Sequence, residues 1–515
     1  MRSSGVGRWS GPLSERKRRG CPDQRECRRQ PPCAPVWQAA LAGLVRVLSC
    51  AGFLLVAGAL AAAPPARLTL WQGFKFSEVP MLRRNVDEFV AEYRQRTGRE
   101  VVIEIGQVPF SDMVKRLKSA ALARQMPDMA IIDANSMVQL AFGGVALPLD
   151  TLPNFPAASI DELRARYVPG AFDTNVITFK GERHLYGLPA QTTTLALFWN
   201  KGMFRAKAKE LREAGLDPER APRDWDEVVR YGKVLTEPSK NLYGFGMNNS
   251  FWFSMPFYNQ YGVEIVRRNE AGLLEAAFRG PRAEAAVNRR VGLYREHGIE
   301  GGAWREGALD PDQGFLNQRY AMILVGPWQI ENFRSSGLDF GVALVPRVPL
   351  AEAKALGLVP PDADENSTAV HALSASNIGG QNIMVSTSSK HPDIALEFAL
   401  HFTSEKVQRA WAEELGQIPI LLAAQQNLKL DKFPEVPVFI EQINLAKPLP
   451  ALPYGGVLET EIVNPEMNLV LQGRQTAAQA LERICAQIER RVLKPVNDAE
   501  MAARAEIRAK TPSGN

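Results

Sequence analysis

Hydrophobic and polar positions along the first third of the chain predict strands and helices in turn. The apolar run RLTLW (67–71) predicts a short strand. The next segment, SEVPMLRRNVDEFVAEYRQRTG, places its apolar residues on one helical face, with Ser77 as the N-cap and Gly98 as the stop. EVVIEIG, SDMVKRLKSAALARQ, DMAIID and SMVQLAFGG then predict strand, helix, strand and helix. This order is typical of an open α/β sheet.

A second region shows the same alternation. The strand LALFWN precedes the helix DWDEVVRYGKVLT, where Asp224 and Glu227 form a pair like a capping box. YAMILV, FGVALVP and NIMVS predict further strands, and HPDIALEFALHFTSEKVQRAWAEELG predicts two helices. Thr476 and Gln479 are expected to cap a last helix, on whose apolar face Cys485 lies as a buried thiol. The fold class is therefore α/β, with two regions of alternating elements.

Charge separates the amino-terminal end from the rest of the chain. Residues 1–61 hold ten Lys and Arg against three acidic residues, a net charge of +7, so the +5 of the whole chain leaves −2 for residues 62–515. An apolar run at 47–60 follows Arg46 and leads into Ala59-Leu60-Ala61, an A-x-A cleavage pattern. We therefore predict that residues 1–61 are a leader with a signal peptide, and that the exported protein is periplasmic.

Two other interpretations of this run are disfavoured. A bilayer span needs about 20 apolar residues, and this run is shorter. Lipid attachment at Cys50 is disfavoured because Cys50 lies inside the run rather than after it.

Four of the five cysteines lie in the leader, so only Cys485 remains after cleavage and no intramolecular disulfide is expected. The near-neutral body gives no reason to expect a nucleic-acid partner.

Motifs of common enzymes are absent from the sequence. The five histidines are scattered, and there is no HExxH, Walker loop, GxSxG or CxxC. We therefore expect neither catalysis, nor a cofactor, nor a metal. A secreted carbohydrate-active enzyme that uses two carboxylates stays open at this point, because paired acids cannot be matched from the sequence alone.

Aromatic and polar residues near the ends of predicted strands are the strongest indication of a binding site. Ligands of open α/β sheets bind beyond the carboxyl ends of the strands. Sugars present apolar C–H faces and hydroxyls, so a site for them needs flat aromatic side chains together with hydrogen-bonding groups. The residues that supply this mixture are Trp71, Phe74, Asp133, Asn135, Trp252, Trp328 and Tyr454.

The segment VGPWQIENF (325–333) is informative because it follows a predicted strand. Gly326 is expected to allow a tight exit from the strand, and Pro327 suits the first helical position, where no N–H is needed. Trp328 would then lie in the first turn, at the carboxyl end of the strand. Taken alone, the segment leaves open whether Trp328 is core or ligand-facing. Trp199, Trp225 and Trp411 are expected to be core.

Several segments, in order along the chain, resemble the bacterial extracellular solute-binding proteins, family 1, of ABC importers, which are maltose-binding-protein-like. They are LTLWQGF with VDEFVAEY, MPDMAIIDANSMVQLAFGGVALPLD, YGLPAQTTTLALFWNKGMF, PRDWDEVVRYGKVLT, FLNQRYAMILVGPWQIENF and GGQNIMVSTSSKHPDIALEFALHFTSEKVQRAW. The stretch VPLAEAKALGLVPPDADENSTAVHALSASN (348–377) is longer than the usual loop of the family.

This resemblance implies a two-lobed periplasmic-binding-protein fold (type II), in which each lobe is an open sheet flanked by helices and hinge strands join the lobes. The implied N-terminal lobe is 67–190 plus 371–403, and the C-terminal lobe is 191–370 plus 404–510. Trp328 matches the Gly-Pro-Trp tryptophan that stacks on sugar. The implied ligand-binding residues are Phe74, Lys75, Asp133, Asn135, Gln191, Thr192, Thr193, Trp252, Trp328, Gly379, Gly380 and Tyr454.

The function implied is that of a substrate-binding component of an ABC importer. It would capture a carbohydrate, a di- or oligosaccharide, by hinge closure and deliver it to a membrane permease as a monomer. The alternative within the class is a binding protein for sn-glycerol 3-phosphate or another anionic solute. That ligand needs Arg or Lys fixed in the cleft, and Lys75, Arg83 and Arg84 keep it open.

Overall fold

The computed structural model describes residues 64–510, apart from 76, 180–181, 450–451 and 453–454. The predicted signal peptide and Tyr454 lie outside the described residues. The strands are β1 (Ala66–Gln72), β2 (Val101–Gln107), β3 (Met129–Asp133), β4 (Val176–Phe179), β5 (Glu182–Leu185), β6 (Gly187–Thr193), β7 (Ala196–Asn200), β8 (Val266–Arg268), β9 (Leu274–Ala276), β10 (Met322–Val325), β11 (Phe340–Ala343), β12 (Asn377–Val385) and β13 (Lys447–Pro448).

Helices connect and cover these strands. They are α1 (Glu78–Thr97), α2 (Met113–Ala123), α3 (Met137–Phe142), α4 (Ile160–Arg164), α5 (Pro169–Asp173), α6 (Lys201–Ala206), α7 (Ala208–Glu213), α8 (Trp225–Leu235), α9 (Phe251–Gln260), α10 (Pro281–Arg295), α11 (Pro311–Leu316), α12 (Ile330–Ser335), α13 (Leu350–Ala355), α14 (Thr368–His371), α15 (Pro392–Phe402), α16 (Glu405–Leu415), α17 (Val436–Asn444), α18 (Gly455–Val457), α19 (Asn464–Leu471), α20 (Ala477–Ile488) and α21 (Lys494–Lys510).

The first sheet has the strand order β13-β12-β3-β1-β2, and β6 pairs with β12. β1 runs parallel to β2 and β3, as the predicted β-α-β-α-β alternation requires. β12 is antiparallel to both β3 and β6. Because β1, β2 and β3 run in the same direction, the residues that follow them meet at one edge of the sheet. We refer to this sheet and the helices packed on it as the first lobe.

The core of the first lobe includes a helix that the sequence placed in the other lobe. Val407, Trp411 and Leu415 of α16 pack in the same apolar cluster as Leu82 and Phe89 of α1. Helix α16 packs there because it is amphipathic, and its apolar face extends the apolar surface that α15 forms against the first sheet. The apolar core therefore continues past residue 403, the sequence-based boundary.

The second sheet is smaller and antiparallel, with the strand order β10-β7-β11. We refer to this sheet and its surrounding helices as the second lobe. Phe198 of β7 is fully buried and packs on Phe333 and Phe340. The chain passes from the first sheet to the second within residues 194–195, between β6 and β7. Residues at the end of β6 therefore lie where the two lobes join.

The predicted helix caps of the second lobe are confirmed. The Glu227 backbone N–H donates to Asp224 Oδ1 at 2.8 Å, whereas the Glu227 carboxylate accepts from the Arg223 N–H, so this pair makes the cap but not the reciprocal bond of a capping box. Thr476 and Gln479 form the reciprocal bonds of a capping box. Cys485 is buried, with its thiol 3.2 Å from the Phe278 carbonyl oxygen. Among the described residues, no helix is long and apolar enough to cross a membrane.

Candidate ligand-binding site

Two tryptophans of the second lobe lie together near the junction of the lobes. Trp252 is on α9 and Trp328 is in the short 3₁₀ turn that follows β10. Their ring centroids are 6.0 Å apart with an angle of 48° between the planes, and both side chains are half-buried. The sequence placed both residues in the site, and the structure brings them together. Such a pair offers a partly exposed aromatic surface on which a flat apolar face can pack.

Gly326 is needed here for space rather than for a turn. Its φ of −97° and ψ of −179° are extended backbone that any residue adopts, which corrects the sequence-based reason. A Cβ atom at this position would lie 1.8 Å from Trp328 Cζ3, so the indole folds back over the glycine. Pro327 occupies the first position of the 3₁₀ turn, as predicted.

The glycine pair lies on β12, beside both the tryptophans and β6. Gly379 pairs with Thr193 and Gly380 with Thr192. A Cβ on Gly379 would lie 2.9 Å from Trp252 Cζ2, and one on Gly380 would lie 2.1 Å from the Gln191 carbonyl oxygen. Gly380 also has a φ of +135°, which favours glycine. The backbone of β12 thus approaches both β6 and the indole of Trp252 more closely than a side chain would permit.

The polar side chains of β6 differ in their hydrogen-bond partners. Gln191 Nε2 donates to Glu78 Oε1 at 3.2 Å and to Gln417 Oε1 at 2.8 Å, while Gln191 Oε1 accepts from Gln381 Nε2 at 3.0 Å. Thr192 is fully buried with its hydroxyl 3.5 Å from the Gly379 carbonyl oxygen, so its side chain is structural rather than exposed to the cleft. The hydroxyl of Thr193 is buried and has no hydrogen-bond partner among the described residues.

Phe74 is not at the surface of the site. Its side chain is 1% exposed and packs on Trp411, with ring centroids 5.1 Å apart. The turn after β1 sends this residue inward, because α16 presents an apolar surface there. The expectation that Phe74 binds ligand is therefore corrected. Lys75, the next residue, is exposed. Another aromatic, Phe110, which was not predicted from the sequence, follows β2 at the same edge of the sheet and is 42% exposed.

Asp133 and Asn135 lie at the end of β3, where they were expected. Asp133 pairs with Gln381 of β12 in the sheet register, and its carboxylate accepts a hydrogen bond from the Asn135 backbone N–H at 3.4 Å. Burial raises the pKa of Asp133 from 3.8 to about 6, and the charge of Glu459 adds to the rise. Glu459 comes from the second lobe, where its Oε1 accepts from the Ser250 hydroxyl at 2.5 Å and from the Trp252 backbone N–H at 3.4 Å.

Four carboxylates therefore surround the junction of the lobes: Glu78, Asp133, Glu331 and Glu459. Within the described part of the chain, no Lys or Arg side chain forms an ion pair with any of these four, although the Lys75 backbone N–H donates to Glu78 Oε2 at 3.1 Å and the charge of Lys75 acts to lower the pKa of Glu78. A set of hydrogen-bond acceptors beside two indoles suits a ligand rich in hydroxyl donors. It does not supply the fixed cations that a phosphate needs.

We expect Asp133→Asn to flatten the pH dependence of folding stability. The folded-state pKa is raised above the unfolded value, so the penalty on the folded state is absent below about pH 4, grows between about pH 4 and 6, and is complete above about pH 6. Asparagine keeps an acceptor for the Asn135 N–H and removes the charge. Thermal unfolding at pH 8 and pH 4.5 checks this. The variant should be more stable than the parent at pH 8, and an equal difference at both pH values would contradict the assignment.

A family model described as bacterial extracellular solute-binding protein matches residues 82–409. The chain belongs to this family. Its members are solute-binding parts of transport systems, so the prediction that the chain is not an enzyme is confirmed, and the carbohydrate-active enzyme is excluded. Members of this extracellular solute-binding family act outside the cytoplasmic membrane.

Individual relatives are distant in sequence but similar in fold. A galactooligosaccharide-binding protein of Bacillus subtilis is 21% identical over 389 residues, 75% of this chain and 81% of its own length. An sn-glycerol-3-phosphate-binding periplasmic protein of Salmonella typhimurium is 25% identical over 346 residues, 64% of this chain and 71% of its own. A solved structure of an ABC substrate-binding protein from Listeria monocytogenes, in complex with cycloalternan, matches with a TM-score of 0.64, 18% identity, and 82% and 98% coverage. The predicted two-lobed fold is confirmed.

Proposed function

We propose that this extracellular solute-binding protein captures a di- or oligosaccharide between its two lobes and delivers it to the permease of an ABC importer. The observation that carries this proposal is the pair of half-buried indoles, Trp252 and Trp328, beside Gly379 at the junction of the lobes. Stacking of sugar rings on these indoles would supply apolar contact. One carboxylate from each lobe, Asp133 and Glu459, would accept hydrogen bonds from the hydroxyls.

The ligand-binding set that we propose differs from the sequence-based one at four residues. The set keeps Trp252, Trp328, Asp133, Asn135, Thr193, Gly379 and Gly380. It also keeps Gln191 and Lys75, which we place at the edge of the site. Phe74 and Thr192 are left out because their side chains are buried in the protein. Phe110 and Glu459 are added because they flank the same edge of the first sheet. Tyr454 stays a prediction.

Hinge closure is the mechanism that we propose. A ligand that contacts both lobes favours the closed state by its difference in affinity for the two states. The proposed lobes follow the sequence-based boundaries, except that 404–421 joins the first lobe, since Trp411 and Ile420 pack in its core. The proposed location is the periplasm, reached through the leader, and the proposed form is a monomer.

A ligand screen tests the proposal against the anionic alternative. We expect maltotriose, maltotetraose or galactooligosaccharides to change the tryptophan fluorescence of the purified protein and to raise its melting temperature, as ligands that bind the folded state do. sn-Glycerol 3-phosphate should do neither, because the carboxylates at the lobe junction repel it. Tighter binding of sn-glycerol 3-phosphate than of every sugar would reverse the assignment.

A further inference from the structure

A hydrogen bond between side chains joins α12 of the second lobe to the start of α1 in the first lobe, at the edge of the proposed site. The Ser77 hydroxyl donates to Glu331 Oε2. Ser77 immediately precedes α1, whose Leu82 and Val86 belong to the core of the first lobe. Glu331 is on α12, whose Phe333 packs on Phe198 in the second lobe. The contact therefore joins residues next to two different apolar clusters, one around Leu82 and Val86 and the other around Phe198 and Phe333.

The Ser77 hydroxyl is free for this contact because it does not cap its own helix. A serine at the N-cap usually accepts a hydrogen bond from the backbone N–H two or three residues later. Here the side chain makes no such bond, although α1 is 20 residues long. The hydroxyl points to the carboxylate of Glu331 instead. The helix N-terminus favours a negative charge at that position, which adds to the attraction.

Glu331 is also close in sequence to the aromatic platform. Trp328 lies in the 3₁₀ turn Pro327–Gln329, which continues directly into α12 (Ile330–Ser335). Any force that holds Glu331 against the first lobe therefore acts on the segment that carries Trp328. The same turn is tied to α11, because Gln329 Nε2 donates to Asp312 Oδ2 at 2.6 Å.

Repulsion between two carboxylates partly offsets the hydrogen bond between Ser77 and Glu331. Glu78 lies next to Ser77, and Glu331 contributes to raising the Glu78 pKa, although burial is the main cause. Two carboxylates thus approach each other where Ser77 holds Glu331. No Lys or Arg among the described residues forms an ion pair with Glu331. A single hydrogen bond to a charged group, partly offset by this repulsion, suits a contact that must open and close.

We infer that Ser77 and Glu331 form a latch that couples the lobes and positions the Trp328 segment against the first lobe. Both are positioning residues, which act through Trp328 rather than by contact with a ligand. The latch stands on the hydrogen bond itself, so it does not depend on which solute the site binds. The test therefore uses the protein without ligand, and its result can be interpreted even if the ligand is not a sugar.

Hydrogen exchange of the full-length protein, followed by mass spectrometry, tests the latch. We expect Ser77→Ala to raise the exchange rate of amides in the peptide 328–335 by at least threefold, although the substitution is in the other lobe. Glu331→Ala should raise exchange reciprocally at 78–85. The double variant should exchange no faster than the faster single variant, since each substitution removes the same bond.

Two further variants separate the latch from a general loss of structure. Ser77→Thr keeps the hydroxyl and should restore the parent exchange rates at 328–335. Ser335→Ala removes a hydroxyl on α12 that, among the described residues, donates to the Asn332 carbonyl oxygen of its own helix, so it should leave 78–85 unchanged. Unchanged exchange at 328–335 in Ser77→Ala would overturn the inference, and so would equal effects of Ser77→Thr and Ser77→Ala.

Discussion

Trp328→Ala is expected to weaken binding of the best sugar ligand at least tenfold, which corresponds to about 1.4 kcal/mol. The indole is half-buried and lies 6.0 Å from Trp252 between ring centroids, so its loss removes one of two aromatic faces. In the parent the indole packs over Gly326, and the alanine variant leaves that space empty. Isothermal titration of parent and variant with the sugar found in the screen measures the change.

Conservative and remote substitutions make this result specific. Trp328→Phe keeps an aromatic face and should lose less than Trp328→Ala. Trp304→Phe serves as a matched control, because Trp304 is also half-buried in the second lobe but packs edge-on against Tyr294, 5.2 Å away, rather than against Trp252. It should leave affinity unchanged. If the affinity of folded Trp328→Ala stayed within twofold of the parent, Trp328 would not be a sugar platform.

The local elements of the fold were predictable because their signals are local. The apolar periodicity of α1 and the alternation of strands and helices in residues 67–142 depend only on neighbours in sequence. The caps at Asp224 and Thr476 depend on residues three positions apart, and both predictions are confirmed. The order of the resembling segments along the chain indicated the extracellular solute-binding family, and the match of the family model to residues 82–409 confirms it.

The side chains at the site were less predictable because their directions depend on distant parts of the chain. Phe74 follows a strand, as a ligand-facing aromatic would, yet α16 supplies an apolar surface that buries it. Glu459 faces Asp133 only because residues 458–463 return to the lobe junction from near the end of the chain. No periodicity in sequence indicates such an approach, and only the tertiary structure shows it.

Gly380→Ala is expected to cost at least about 2 kcal/mol of folding stability, through backbone strain and a steric clash together. The residue has a φ of +135°, which a side chain rarely adopts. A Cβ there would also lie 2.1 Å from the Gln191 carbonyl oxygen, on the strand that passes between the lobes. Denaturant unfolding measures the loss, and the clash should weaken sugar binding as well, because β12 must move away from β6.

Gly98→Ala is the reference for a glycine with positive φ that has no close neighbour. Gly98 also has a positive φ, of +69°, but nothing lies within 4 Å of a Cβ built on it. Its substitution should cost only about 1 kcal/mol, the strain of the backbone alone. The excess cost of Gly380→Ala over Gly98→Ala then combines the close approach between β12 and β6 with the greater backbone strain of a side chain at a φ of +135° than at +69°. Equal costs would mean that β12 yields to a methyl group, and that the glycine at 380 is there for its conformation and not for contact at the hinge.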